Sequence, residues 1–219
     1  MFDRIRVVGR GRVGSAIAAR LEERGLAVTD KEPELVILCV PDSAIHDVAS
    51  ATAAGPWIAH VSGATALAAL DPHLKRFGVH PLQTFSRAGG PEQLDGAWAA
   101  VTAENSEAER CATSLATLLG LRPFPIADAD RAIYHAGAVI ASNYLVTLYR
   151  AASRLLKEAG APPEALIPLM QRTIDNGFDL TGPIARGDVN TVDLHLAAIS
   201  ARVPELAAMY RALASVTTP

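Results

Sequence analysis

Gly9-Arg10-Gly11-Arg12-Val13-Gly14 is a G-x-G-x-x-G run between an apolar, β-branched stretch, Ile5 to Val8, and an amphipathic stretch that begins at Val13. A strand before and a helix after is the context that a phosphate-cradling loop requires. Gly9 would permit the tight turn, Gly11 would let the backbone approach a pyrophosphate, and Gly14 would let helix pack close on strand. The free amides of the helix N-terminus would then face the anion. Arg10, Arg12 and Val13 fill the variable positions and are expected to border the same ligand. Asp30, 21 residues past Gly9, ends the next predicted strand, where a carboxylate accepts hydrogen bonds from the adenosine ribose of NAD. Its neighbour Lys31 would instead meet the 2′-phosphate of NADP, so the pair leaves both cofactors open.

Further polar residues fall at predicted strand ends, where open parallel sheets bind their ligands. Val40, Pro41 and Ser43 are expected to border the cofactor, with Ser43 opening a helix. Ser62 and Gly63 are placed to meet a substrate carboxylate or keto oxygen. His80, before Pro81, is held extended. On a long predicted helix, His135, Val139 and Asn143 recur at i, i+4 and i+8 and share a drifting stripe. Hydride delivery to a ketone builds negative charge on oxygen that a nearby group must neutralise or protonate. His135 and His80 are the candidates, because histidine can donate near neutral pH, and Asn143 lies on the same helix stripe as His135. Thr181-Gly182-Pro183 breaks the chain before Arg186-Gly187-Asp188. Thr181 and Arg186 are expected to contact substrate, Arg186 by gripping a carboxylate bidentately, while Asp188 caps the next helix. His195, within that helix, suits an interface as well as a site. Cys39 and Cys111 lie in apolar runs without metal-ligand spacing and read as packed thiols; no metal is expected.

The elements that must position these residues alternate in βαβ fashion. Strands are predicted at Ile5 to Val8, Leu26 to Thr29, Glu34 to Val40, Trp57 to Ser62, Phe77 to His80, Ala97 to Thr102 and Arg122 to Ile126. Helices are predicted at Val13 to Arg24, Ser43 to Ala53 and Ser106 to Leu119. Beyond Ala127 only helices follow: Arg131 to Ala159, Pro163 to Asp175, Val189 to Ala201 and Pro204 to Ala214, with 216–219 as a frayed tail. This predicts an α/β protein with a Rossmann-type, mostly parallel domain at 1–127 and an all-α domain at 128–219. One feature departs from that plan. Only Lys31, Glu32 and Pro33 separate the second strand from the third, whereas a parallel crossover needs about a dozen residues. A helix is missing, the strand pairing at that edge is expected to be altered, and the adenine pocket to be shallow or supplied by another subunit.

Half of the residues are hydrophobic, enough for a sizeable core, and the formal net charge is -3 with the 20 basic residues scattered. That excludes nucleic acid as the main partner and favours a small acidic molecule. No signal peptide and no apolar run of about 18 residues is present, which predicts a cytoplasmic protein with no membrane partner. About 90 helical residues with broad apolar faces exceed what one sheet domain can cover, so a homodimer through the C-terminal helices is expected.

The glycine loop, Val40-Pro41-Asp42, Val61-Ser62-Gly63-Ala64, His80 to Phe85 (HPLQTF), His135 to Leu145 (HAGAVIASNYL) and Leu180 to Asp188 together resemble a group of Rossmann-like oxidoreductases whose C-terminal domain has no assigned function. The group is similar to pyrroline-5-carboxylate reductase and ketopantoate reductase, and more distantly to the β-hydroxyacid dehydrogenases. The resemblance implies a C-terminal domain of the 6-phosphogluconate dehydrogenase-like kind and an NAD(P)H-dependent reduction of a small keto or imino acid, with ketopantoate the first substrate to try. In the related dehydrogenases this helix carries a proton-donating lysine four residues before an asparagine. Asn143 matches the asparagine, but Val139 stands at the lysine position. That substitution and the shortened crossover also leave open a non-catalytic nucleotide-binding or regulatory protein, and the HP turn alone leaves open a dehydrogenase of a prephenate-like or hydroxy acid.

Overall fold

The computed structural model describes residues 2–217; of the tail expected to fray, residues 218–219 lie outside the described residues. The chain divides into two compact units, 1–140 and 141–219. In the first, β1 (Arg4–Val8), α1 (Arg12–Glu23), β2 (Ala27–Val28), β3 (Leu35–Leu38), α2 (Ile45–Ser50), β4 (Trp57–His60), β5 (Arg76–Pro81), β6 (Trp98–Ala103), α3 (Ser106–Leu118), β7 (Arg122–Pro125) and α4 (Arg131–Val139) follow in order. The seven strands form one sheet in the order β2-β1-β3-β4-β5-β6-β7. Strands β1 to β5 run parallel, and β6 turns back antiparallel to β5.

The short link after β2 has a geometric solution. Val28, the last residue of β2, and Leu35, the first of β3, both pair with Ile5 from opposite flanks of β1. The chain therefore needs to move sideways by two strand spacings, roughly 10 Å, and not back along a full strand. A crossover helix is unnecessary because β2 has been cut to two residues. The link is tied to the start of β1: Arg4 Nε donates to the Glu32 carbonyl at 2.8 Å, and Glu34 accepts from the Asp3 amide at 2.7 Å.

The continuous apolar run of β3 is explained by burial on both faces. Leu35 and Ile37 join the core under α1 and α3, with Ile5, Ile17, Leu21, Phe77 and Leu115. Val36 and Leu38 join the core under α2, with Ile45, Ile58, Leu67 and Leu70. Arg20, 5% exposed, fastens α1 to the segment after β5 through Asp95 Oδ1 at 2.6 Å and the Pro91 carbonyl at 2.8 Å.

The unit boundary falls beyond the composition change at 127, because α4 belongs with the sheet: its first residue, Arg131, is 1% exposed and hydrogen-bonded to Thr102 of β6. The expected single helix from Arg131 is interrupted by a π-helical turn, Ile140–Tyr144, before α5 (Leu145–Glu158). The second unit continues with α6 (Leu166–Asp175), α7 (Val189–Arg202) and α8 (Ala207–Val216). Asp188 caps α7 as expected, accepting from the Thr191 amide at 3.1 Å and its hydroxyl at 2.7 Å. Among the described residues no helix is long and apolar enough to cross a membrane.

Candidate functional site

The three loop glycines meet three different surroundings. Gly9 has φ +94°, and a Cβ there would lie 2.3 Å from the Cys39 carbonyl oxygen. A Cβ on Gly14 would lie 1.9 Å from the Gly9 carbonyl oxygen. Both positions therefore exclude any side chain, the first by conformation and contact and the second by contact. Around Gly11 nothing lies within 4 Å of a built Cβ. Space at the middle glycine, with walls at the other two, is the arrangement that lets a ligand's phosphates reach the backbone. No side chain caps α1 at Gly11, so its first amides are free to serve an anion. The loop also sits where the strand order reverses, with β2 on one flank of β1 and β3 on the other.

Beside the loop, Cys39 is packed against Gly9 and Gly14, and burial pushes its thiol up to about 12, so it is inert at neutral pH. Val40 is half-buried, while Pro41 and Ser43 are exposed on the short helical turn Asp42–Ala44 that leads into α2. The turn begins at Pro41, and Ser43 makes no capping bond. Asp30 is ion-paired with Arg6 at 2.8 Å and stands two residues past Val28, which pairs with Ile5 of β1.

Further along the same sheet edge, a histidine cluster forms. His80, on β5, has its Nδ1 2.8 Å from the Tyr134 hydroxyl. Its ring meets His135 edge to face, with centroids 5.7 Å apart. Gly63 lies between them: a Cβ there would be 2.4 Å from His135 Cδ2 and 2.9 Å from His80 Nε2. Burial, followed by the nearby His135 and Arg131, pushes His80 down to about 4, so the ring is neutral at physiological pH. Burial raises the Tyr134 hydroxyl to about 12.

Beneath this cluster lies Arg131, which the sequence presented only as the start of a helix. Its guanidinium donates to Thr102 Oγ1 at 2.7 Å and to the Ser62 carbonyl, with Nε unpartnered. Both bonds are to neutral oxygens, so its charge is met only at a distance by Asp128 and Asp42. Gly78 makes room for it, since a Cβ would lie 3.0 Å from Nη1. His60, fully buried on β4 and unpartnered at both nitrogens, is pushed down to about 3 by burial and by Arg131. Ser62, expected to face a substrate, is instead 7% exposed. Its hydroxyl bonds Thr65 Oγ1 at 2.8 Å and accepts the Thr65 amide at 3.0 Å, so it stabilises its own turn.

In the second unit, Asn143 is exposed within the π-helical turn and accepts from Ser142 Oγ at 3.0 Å. Such turns recur at functional sites. Thr181 and Arg186 are exposed. His195 is exposed and has its Nδ1 2.7 Å from the Tyr210 hydroxyl. Among the described residues no three His, Cys, Asp or Glu side chains gather as a metal site would require.

The parallel sheet, the glycine loop at its switch point and the helical C-terminal region define the fold of the Rossmann-like oxidoreductases. Residues 97–217, more than half of the chain, match the family described as a domain of unknown function (DUF2520), and the chain belongs to that family. Solved structures of similar fold include a Bacteroides fragilis protein assigned as an NADP oxidoreductase, at TM-score 0.80 and 20% identity over 97% of this chain and 96% of that one. A Thermotoga maritima protein is similar at TM-score 0.77 and 24% identity, again over 97% and 96%. A semialdehyde dehydrogenase NAD-binding protein of Cupriavidus necator, in complex with calcium and NAD, aligns at TM-score 0.63 and 17% identity over 96% and 99%. No curated protein matches the chain.

Proposed function

We propose that the protein is an NAD(P)H-dependent oxidoreductase that reduces a small keto or imino acid, with ketopantoate the first candidate. The observation that carries this reading is the shared sheet edge: the open Gly11 position at the end of β1 and the His80–Gly63–His135 cluster at the ends of β4 and β5. The loop and its uncapped helix suit a dinucleotide pyrophosphate, and the bound nicotinamide would supply the hydride. Backbone amides from Gly9 to Gly14 hold the phosphates, and Val40, Pro41 and Ser43 border the nicotinamide half.

With the Tyr134 hydroxyl as donor to His80 Nδ1, the ring would carry its proton on Nε2. His80 then donates a hydrogen bond from a neutral ring to the oxygen on which charge develops, much as a neutral imidazole serves as an electrophile elsewhere. A ring held down to about 4 does not carry a transferable second proton at neutral pH, so proton delivery falls to His135. The buried Arg131 charge, unopposed at contact distance, favours negative charge developing nearby. Asn143 orients the carbonyl, and Arg186 with Thr181 engages the substrate carboxylate. The homodimer forms through the C-terminal helices. The valine at position 139, where related enzymes have lysine, favours the second reading of a non-catalytic dinucleotide binder. Calorimetric titration with NADH and NADPH tests the first step, and single-turnover reduction of a keto-acid panel tests the second. Binding without turnover of any panel member would favour the non-catalytic reading, and failure to bind either dinucleotide would exclude both.

A further inference from the structure

The turn after β4 uses its amides unevenly. Ser62 Oγ accepts from the Ala64 amide at 3.2 Å and from the Thr65 amide at 3.0 Å. The Gly63 amide meets no acceptor among the described residues, although Gly63 is buried. Buried amides are nearly always paired, so one left over needs an explanation. Its surroundings supply one: a Cβ on Gly63 would lie 2.9 Å from His80 Nε2 and 2.4 Å from His135 Cδ2, so this backbone stands against the two rings already assigned to the substrate oxygen.

Arg131 dictates where that amide points. Its Nη2 donates to the Ser62 carbonyl, which is the other half of the Ser62–Gly63 peptide. A trans peptide is planar, with C=O and N–H directed oppositely. A carbonyl drawn inward to the buried guanidinium therefore turns the Gly63 N–H outward, away from the positive charge. The grip is anchored on the sheet. Nη1 donates to Thr102 Oγ1 at 2.7 Å, and that hydroxyl donates onward to the Ile126 carbonyl at 3.1 Å, just past β7. A planar fork spans both acceptors, where an ammonium would hold one. A charge-assisted bond to the carbonyl also polarises the peptide and makes its N–H the stronger donor. A plain core pin would not need this charge. Asp128 spends its Oδ1 on the Leu67 amide at 2.9 Å and acts on Arg131 only at a distance, and an apolar side chain of similar volume fills such a site at lower desolvation cost.

We propose that Arg131 is a positioning residue that acts through one peptide bond: its grip on the Ser62 carbonyl holds the Gly63 N–H beside His80 Nε2, and the amide joins His80 in donating to the substrate oxygen that gains charge. This rests on the reductase reading above. The test compares the full chain, wild type, Arg131→Met and Thr102→Val, each confirmed as folded by circular dichroism. Amide nitrogen relaxation of the unliganded protein should give Gly63 an order parameter of about 0.85 in the wild type and below about 0.6 in Arg131→Met. Single-turnover reduction across the keto-acid panel should slow by about 10²-fold in Arg131→Met, the usual cost of one oxyanion donor. KM and the calorimetric affinities for NADH and NADPH should stay within about twofold, because a donor used only in the transition state lowers kcat alone. Thr102→Val keeps the guanidinium and removes its anchor; it should slow reduction by up to about 10-fold, and it carries the test if Arg131→Met does not fold. Wild-type order at Gly63 or a wild-type rate in folded Arg131→Met would overturn the proposal, as would Thr102→Val unchanged in both. An equal loss of dinucleotide affinity would make Arg131 merely structural and overturn it too. A wild type that reduces no panel member would remove the reductase reading and the donor role with it, while the Gly63 order parameters would still decide whether Arg131 positions the peptide.

Discussion

In residues 2–140 a closed apolar core forms: Ile5, Ile17, Leu21, Leu35, Leu38, Ile45, Ile58 and Phe77 are at most 1% exposed, although Leu74 and Ile133 stand out at 88% and 73%. In the described residues of 141–219 the fully covered apolar side chains are Leu166, Ile199 and Val203, while Tyr144, Val146, Ile167, Leu169, Phe178 and Leu194 are at least 49% exposed. The first unit closes its own core and gathers His60, His80 and Arg131 at one edge. The second has amphipathic helices with too few partners of its own. The difference teaches that the two halves are unequally self-sufficient: the first covers its own core, whereas the second leaves apolar faces open, the kind of surface that marks an interaction site.

The division of labour is broken most severely at Gly11. Gly11→Asp adds a carboxylate where the pyrophosphate must approach, in space that accommodates the side chain, so the variant should fold normally and lose dinucleotide binding beyond calorimetric detection. Undiminished affinity would remove the loop from the binding site. Next in size is His135→Gln, expected to lower the single-turnover rate by about 10²- to 10⁴-fold, the usual contribution of a general acid. Asn143→Ala should lower turnover while leaving dinucleotide affinity nearly unchanged, because loop and asparagine lie in different units. Wild-type turnover by both folded variants would make these residues structural.

A smaller effect sharpens the first unit's side of the contrast. His80 and His60 are held at about 4 and about 3, below the ordinary value near 6.5. They bind protons more weakly folded than unfolded, so acid favours the unfolded chain. Their effect is absent above pH 6.5, and stability is lost as pH falls from there toward 4, by up to about 1.4 kcal/mol per pH unit for each group. His80→Gln should flatten the acid limb of a urea-unfolding series by one proton's slope, and an unchanged limb would mean that His80 titrates normally. The smallest expected effect concerns the second unit. Light scattering at micromolar concentration should give a dimer, and Val146→Asp on α5 should weaken it by about 10-fold, close to 1.4 kcal/mol. A monomeric wild type would contradict the dimer outright.

What the sequence conveyed follows from where residue type dictates conformation. The glycine roles were legible because positive φ and close approach select glycine, and β3 was legible because burial on two faces demands an unbroken Leu-Val-Ile-Leu run. The short link was visible as an anomaly, but its resolution, strands on opposite flanks of β1 at one level, depends on pairing that a single chain does not display. Arg131 was missed because a charged residue at a helix start is ordinarily solvated. Its spacing with Tyr134 and His135, at i, i+3 and i+4, was the available signal that all three share a face. The Ser62 turn and the Asp30–Arg6 pair depend on partners that spacing does not reveal. The π-helical turn has no residue signature.

The two-residue β2 also bears on how the protein avoids sticking to itself. An open sheet offers its outer strand as a template on which another chain can add, and long, flat, apolar edges nucleate aggregation. Here the outermost strand on that side offers two rungs, and the exposed charges of Arg4, Lys31 and Glu32 crowd its ends. A foreign strand would find too short a ladder to register on. The abbreviation that removed a crossover helix thus also leaves the sheet a blunt, charged border.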